Sequence, residues 1–467
     1  MKTPFTHFTP LSTLPPRAAA VAHSHFMRNS KTDFDTCVAN LVAWVRARGV
    51  KALGVGSPWG PNQAAAMRRC EHEDRDAYYA GRLTDDFLFR DEMDATLAAL
   101  SRACPDVNFF LDNETPKNRY GHLWYIGYEP VVPGWHDYSQ DRRVAFSEAE
   151  AGDPSLDQNP LTGKAHIRRP YAEVVAEQRA RGALAVWAHP TSWWFNPGDV
   201  FVTNIAADMP AQLLMDGGLD GITVMGYDAF HRHYQELWFA ILDMGYRVPG
   251  LAEQDCSPAG SIIGNKADSI LNYIPDCAGT PTVAEFKDAV RDFRTTMSSG
   301  PDLRLLSLRA EDGLVYVNCL CAPAPGESRL SKVEILGRGG KVRATLEGAG
   351  CGTAAFAFPL ERGDTWFVAR CFGETCGDYA SKPQQAVRVM ALTNPLWLDA
   401  APPPPAPVAT SLPYMENARV RKLMDYLADG HFRADWPGLL PGEVPAEAFR
   451  FAEFRDALEN PAPIRMV

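Results

Sequence analysis

From residue 18 to residue 293, apolar positions follow two alternating rhythms. Short, nearly continuous runs at 18–25, 50–56, 107–111, 184–188, 221–225 and 248–252 have the length and β-branched content of buried strands. Between them, apolar residues recur every three or four positions. Phe34, Val38, Leu41, Val42 and Val45 share one helical face, with Gly49 as a stop. The same spacing predicts helices near 93–100, 172–181 (ending at Gly182) and 234–244, and a last one carrying Val283, Phe286, Ala289, Val290 and Phe293. Strand–helix alternation of this length implies an α/β unit with a mostly parallel sheet covered by helices.

The rhythm changes at Ser298-Ser299-Gly300-Pro301. Beyond it, 303–308 and 314–319 flank Asp312-Gly313, and 333–336 and 342–346 flank Gly339-Gly340, both hairpin signatures. A small antiparallel β-sandwich is expected there. Pro402 to Pro405 and Pro407 then read as a stiff linker, and Val420, Leu423, Met424 and Leu427 place a helix at 415–427. Three units follow: 1–300 as the α/β domain, 301–399 as the sandwich, and 400–467 as a Pro-rich linker and helical tail. No internal repeat or heptad pattern is present.

Bulk properties narrow the function classes. A chain of 467 residues with 46% hydrophobic residues suits two or three globular units. Its net charge of −11 disfavours nucleic acid and anionic membranes as partners and leaves a small-molecule substrate. Homo-oligomerisation stays open. Ten cysteines occur without a Cys-x-x-Cys pair, as in a reducing compartment. The first seventeen residues lack the apolar core of a signal peptide, and no apolar run approaches the ~20 residues that span a bilayer. A cytoplasmic protein is the expectation.

Chemistry enters at the ends of the apolar runs. His23 and His25 form a His-x-His, whose side chains point the same way on a strand. Asn113-Glu114-Thr115 follows the apolar run VNFF, His122 lies in YGHLW, His189 ends ALAVWA before Pro190, and Asp255 follows PGLAEQ. Imidazole and carboxylate are the ligands of divalent metals, and an α/β barrel collects its active site at strand ends. Each piece also has a plainer reading, His189 as a hydrogen-bonded core histidine and Asp255 as a helix cap. The series, rather than any one residue, suggests a site.

The order His-x-His, Glu followed by Gly-His, Ala-His-Pro and a late Asp resembles the polymerase-and-histidinol-phosphatase (PHP) superfamily of metal-dependent hydrolases. LDGITVM before a helix with Trp238, GYRVPGLAEQD, MSSGPDL and ALTNPLWL are similar to its carbaryl-hydrolase-like (CehA/McbA) branch. The resemblance spans about residues 18–398. It implies a distorted (β/α)7, TIM-like barrel with metals at the C-terminal mouth of the strands. It also implies that His23, His25, Glu114 and Asp255 hold one metal, and that Glu114 bridges to a second held by His122 and His189. Three histidines of the family pattern are missing. Arg28-Asn29-Ser30-Lys31, Gly56-Ser57-Pro58 and Ser257 stand in their places. Together they would bind a third metal, so a two-metal centre is expected, with zinc, manganese or iron(II) all compatible with the remaining donors.

Such a centre makes a metal-bound hydroxide at neutral pH, and the expected activity is hydrolysis of a small-molecule phosphoester. Cleavage of an amide, carboxyl ester or carbamate is the close alternative, and a catalytically inactive binding module is a third reading, motivated by the lost histidines. Asp255 would serve as ligand and proton acceptor. His231 and His233, after the run at 221–225, are candidates for protonating the leaving group or binding substrate, and read otherwise as exposed loop histidines. Trp193, Trp194 and Tyr227, with Phe195 and Phe230 nearby, are candidates for binding an apolar or aromatic substrate group. Glu71-His72-Glu73 lies in a charged stretch and reads as solvated.

Overall fold

The computed structural model describes residues 3–24, 26, 33–56, 86–118, 121–128, 156–158, 165–167, 171–189, 214, 217–226, 231–254, 270–378 and 386–406. For Glu114, His122, His231 and His233 it describes the backbone. The expected tail helix at 415–427 lies outside these residues.

The chain opens with β1 (Phe5–Pro10) and β2 (Arg17–Val21), followed by α1 (Phe34–Arg48), β3 (Val50–Val55), α2 (Asp86–Ala103), β4 (Asn108–Asn118) and β5 (Gly121–Ile126). Next come β6 (Leu156–Gln158), β7 (Ala165–Ile167), α3 (Tyr171–Ala180), β8 (Leu184–Trp187), β9 (Gly221–Met225), α4 (His231–Asp243), β10 (Gly250–Ala252) and β11 (Leu271–Pro275). Then α5 (Val283–Arg291) and β12 (Thr296–Ser298) lead into a β-rich run. That run holds β13 (Asp302–Glu311), β14 (Leu314–Ala322), β15 (Lys332–Gly337), β16 (Lys341–Glu347), β17 (Gly352–Pro359), β18 (Trp366–Asp378), β19 (Ala386–Thr393) and β20 (Leu396–Trp397).

Local chemistry explains the helix ends. The Asp33 carboxylate accepts from Thr36 N–H at the start of α1, and Gly49, at φ 64°, closes it in the left-handed conformation a glycine adopts without strain. Cys37, Val38, Leu41, Val42 and Val45 form its buried face. Phe34, expected on that face, is instead exposed at the first turn, where it meets Phe26 in a T-shaped ring contact. At α5, Thr282 and Glu285 make a reciprocal capping box. Phe293 falls beyond the end of α5 and packs edge-on against Trp397.

The architecture is mixed α/β, with few helices and one large mixed sheet of fourteen strands. Its path runs β10-β9-β8-β5-β4-β3-β2-β11-β12-β19-β18-β15-β16, with β20 the fourteenth strand, off this path and antiparallel to β18. Pairs β2–β3, β3–β4, β8–β9 and β9–β10 are parallel, as the alternation predicts. Antiparallel β5 between β4 and β8, and antiparallel β11 beside β2, are not predicted by it. Among the described residues no backbone ladder joins β10 to β11. Side chains span that gap: Asn272 accepts from Ala252 N–H and donates to Ala252 C=O, each at 2.8 Å. Asn394, just after β19, does the same for Gly250 on the same edge of β10.

A second, four-stranded sheet has the order β1-β17-β14-β13. Strand β1, from the expected first unit, thus pairs with β17 of the β-rich run. The hairpin turn Asp312-Gly313 has φ of 55° and 77°, the double left-handed geometry of a two-residue turn. Val315, Val317 and Phe356 from this sheet and Val333, Ile335 and Phe367 from the large one share a buried apolar cluster. Helix α4 meets the β-rich run through its C-terminal half. Phe239 stacks on Trp366 at 5.5 Å, and the Asp243 carboxylate accepts from Trp366 Nε1–H and Gly339 N–H. Among the described residues, no helix is long and apolar enough to cross a membrane.

Candidate metal centre

Side-chain alternation along the strands β2 to β11 builds two layers. Ala20, Ala52, Phe110, Trp124, Val186, Leu251 and Ile274 form one buried apolar cluster with Phe286, Ala289 and Val290 of α5. Two residues further along three of these strands the pattern turns polar: Phe110 is followed by Asp112, Leu251 by Glu253, and Ile274 on its reversed strand is preceded by Asn272. All three polar side chains are buried. Buried polar groups at this density need partners, and theirs are specific.

Asp112 has space because its neighbour on β3 is a glycine. A Cβ on Gly54 would overlap the Asp112 carboxylate, and one on Gly56 would meet the carbonyl oxygens of Ser24 and Asp112. The Asp112 carboxylate accepts the His23 backbone N–H at 2.5 Å. The next residue, Ser24, donates its hydroxyl to Gly54 C=O.

His23 and His189 follow β2 and β8, and both have positive φ, 56° and 22°. Residues with a Cβ pay about 1–3 kcal/mol for such a backbone and keep it where surroundings enforce it. Carboxylates do so here. Asp112 holds the His23 N–H, and Glu253 Oε1 holds the His189 N–H at 2.8 Å. The other Glu253 oxygen lies 2.7 Å from His23 Nδ1. A carboxylate only accepts, so Nδ1 carries the proton in this contact and Nε2 keeps its lone pair. The His23 ring stacks on Trp124 at 5.6 Å and lies 5.7 Å, centroid to centroid, from the His189 ring.

Of the expected ligands, the structure therefore brings His23 and His189 together. Glu114 lies on β4 opposite Trp124, and His122 on β5 opposite Lys117. His231 and His233 belong to the first turn of α4 rather than to a loop. His25, Asp255, Trp193, Trp194 and Tyr227 lie outside the described residues. Among the described residues, no group of three His, Cys, Asp or Glu side chains is placed to hold a metal. The two imidazoles fit a metal in chemistry and in approach, and completion of a shell rests on donors beyond the described side chains.

Glu253 and Asp112 are absent from the expected site. Their signal was parity: each sits two residues after an inward-facing apolar side chain, Leu251 and Phe110, so alternation aims each acid inward. Among the described residues the cysteines form no second centre, and burial pushes the Cys321 thiol up to about 12, which keeps it protonated. In comparisons with known proteins, no family model, no curated protein and no solved structure matches this chain.

Proposed function

We propose that the chain is a metal-dependent hydrolase with its centre at the ends of β2, β4, β8 and β10, acting on a small-molecule phosphoester. The observation that carries the reading is the meeting of His23 and His189, from strands separated in the sheet by β3, β4 and β5, in two enforced left-handed turns. Strain of this kind gathers at functional sites. In this reading the strands from β2 round to β11 form the distorted PHP-like barrel, with the Asn272 amide standing in for the missing ladder.

Bound divalent ions would acidify water to near neutral pH and neutralise charge on a phosphoryl oxygen. The protein supplies the rest. His23, through Nε2, and His189 offer nitrogen donors, joined in the proposed two-ion centre by His25, Glu114, His122 and Asp255. Trp124 covers one face of the His23 ring and excludes water from it. His231 and His233 would meet the leaving group from the first turn of α4. Trp193, Trp194 and Tyr227 would contact the organic part of the substrate.

A substrate panel tests this directly. With manganese or zinc supplied, an aryl phosphate or phosphodiester should be hydrolysed, and a chelator should stop turnover reversibly. Turnover confined to an aryl ester, amide or carbamate would move the assignment to acyl chemistry at the same centre. No hydrolysis of any of them by the metal-loaded protein would overturn the enzymatic reading in favour of a binding module.

A further inference from the structure

Resting on that reading, we propose that Glu253 is a positioning residue that locks both histidines at once, fixing the ring tautomer of His23 and the backbone turn of His189. Its two oxygens divide the task. Oε2 faces His23 Nδ1 at 2.7 Å, and Oε1 accepts His189 N–H at 2.8 Å. Glu253 is itself anchored, because its backbone N–H donates to Met225 C=O at 3.0 Å and extends the β9–β10 pairing. Its side chain is fully buried, and among the described residues it meets an imidazole and a peptide N–H but no lysine or arginine.

The consequence is a defined coordination chemistry for His23. A proton held on Nδ1 directs the Nε2 lone pair outward as the donor atom, the arrangement by which a carboxylate behind a histidine orients it toward a metal. One residue thereby ties β10 to the ends of β2 and β8. A glutamine cannot repeat this. Its single carbonyl oxygen can accept from one of the two N–H groups, and its amide N–H2 facing the other position would clash or donate. If the oxygen stays with His189, the amide donates to His23 Nδ1 and forces the proton onto Nε2, where it blocks ligation.

The experiment uses the full-length protein and the variant Glu253→Gln, with manganese or zinc as the probe. Metal affinity is measured by calorimetry, and the His23 tautomer by ring 15N chemical shifts in metal-free protein, assigned by loss of the signal in His23→Asn. Glu253→Gln is expected to fold, to weaken metal binding about 10–100-fold, and to move the His23 proton from Nδ1 to Nε2. An unchanged tautomer with unchanged affinity would overturn the positioning role while leaving the metal reading in place. A wild-type chain that binds neither metal would overturn the metal reading. In that event an Nδ1–H signal lost in Glu253→Gln still upholds the positioning of His23, and an Nε2–H signal in wild type overturns it. If Glu253→Gln fails to fold, wild-type His23 alone decides: Nδ1–H supports the lock and Nε2–H refutes it.

Discussion

Two buried carboxylates, Glu334 in the β-rich part and Glu253 at the strand ends, meet opposite surroundings. Glu334 is matched by full positive charges: Arg370 Nη2 lies 2.6 Å from one oxygen and Lys332 Nζ 2.8 Å from the other. Burial alone pushes the Glu334 carboxyl up, and the two cations reverse this and hold it below the ordinary carboxylate value. Glu253 is equally hidden, yet its described partners are an imidazole and a peptide N–H. The first group is balanced from within the chain, as a structural ion pair is. The second is arranged around histidine, and an added cation would complete its balance. The difference fits a structural role for Glu334 and, on the proposed reading, a positioning role for Glu253.

Five substitutions, one of them paired with another, press on that contrast, in order of expected effect. His189→Ala should remove a metal donor and lower turnover by more than about 100-fold, with the stability of the metal-free protein little changed. Equal turnover in the variant would take His189 out of the centre. Arg370→Met, in contrast, should leave turnover per folded molecule intact and destabilise the chain by about 3–5 kcal/mol, because Glu334 is left buried beside a single half-shielded lysine. The paired change with Glu334→Leu should recover most of that loss in denaturant unfolding. A single change that costs under about 1 kcal/mol would show that the pair is not structural.

Asp243 gives the third effect, on pH. Burial pushes its carboxyl from 3.8 up to about 6, against the Gly339 and Trp366 N–H groups and the charges of Arg338 and Lys341. Between those values the folded protein holds a proton that the unfolded chain has released. Stability therefore falls as pH rises from about 4 to about 6, by at most ~3 kcal/mol, and levels off above. Asp243→Asn should flatten that slope in unfolding curves taken across the window; an unaltered slope would assign it to other groups. Smallest is Gly54→Ala, whose new methyl meets the Asp112 carboxylate. It should cost about 1–3 kcal/mol and disturb the His23 turn, and a neutral outcome would mean that Asp112 can move aside freely.

Much of the fold was legible because its signals are local. Gly49 ends α1, the run before His189 is β8, and Asp312-Gly313 is a tight turn. What escaped is non-local. Nothing near residue 5 announces that β1 pairs with β17, and YGHLW carries no mark of an antiparallel strand between β4 and β8. Asn272 and Asn394 look like loop residues in sequence, yet their amides imitate a ladder across the β10 edge. At the site, attention to the ends of apolar runs found His23 and His189. It passed over Glu253 and Asp112, which lie inside the alternation rather than after it.

The account stands most directly on the metal content of the purified full-length chain, compared with that of a His23→Ala, His189→Ala double variant by mass spectrometry of the elements. It predicts about two divalent ions per wild-type chain and a near-complete loss in the variant. Equal, trace metal in both proteins after incubation with manganese or zinc would contradict it.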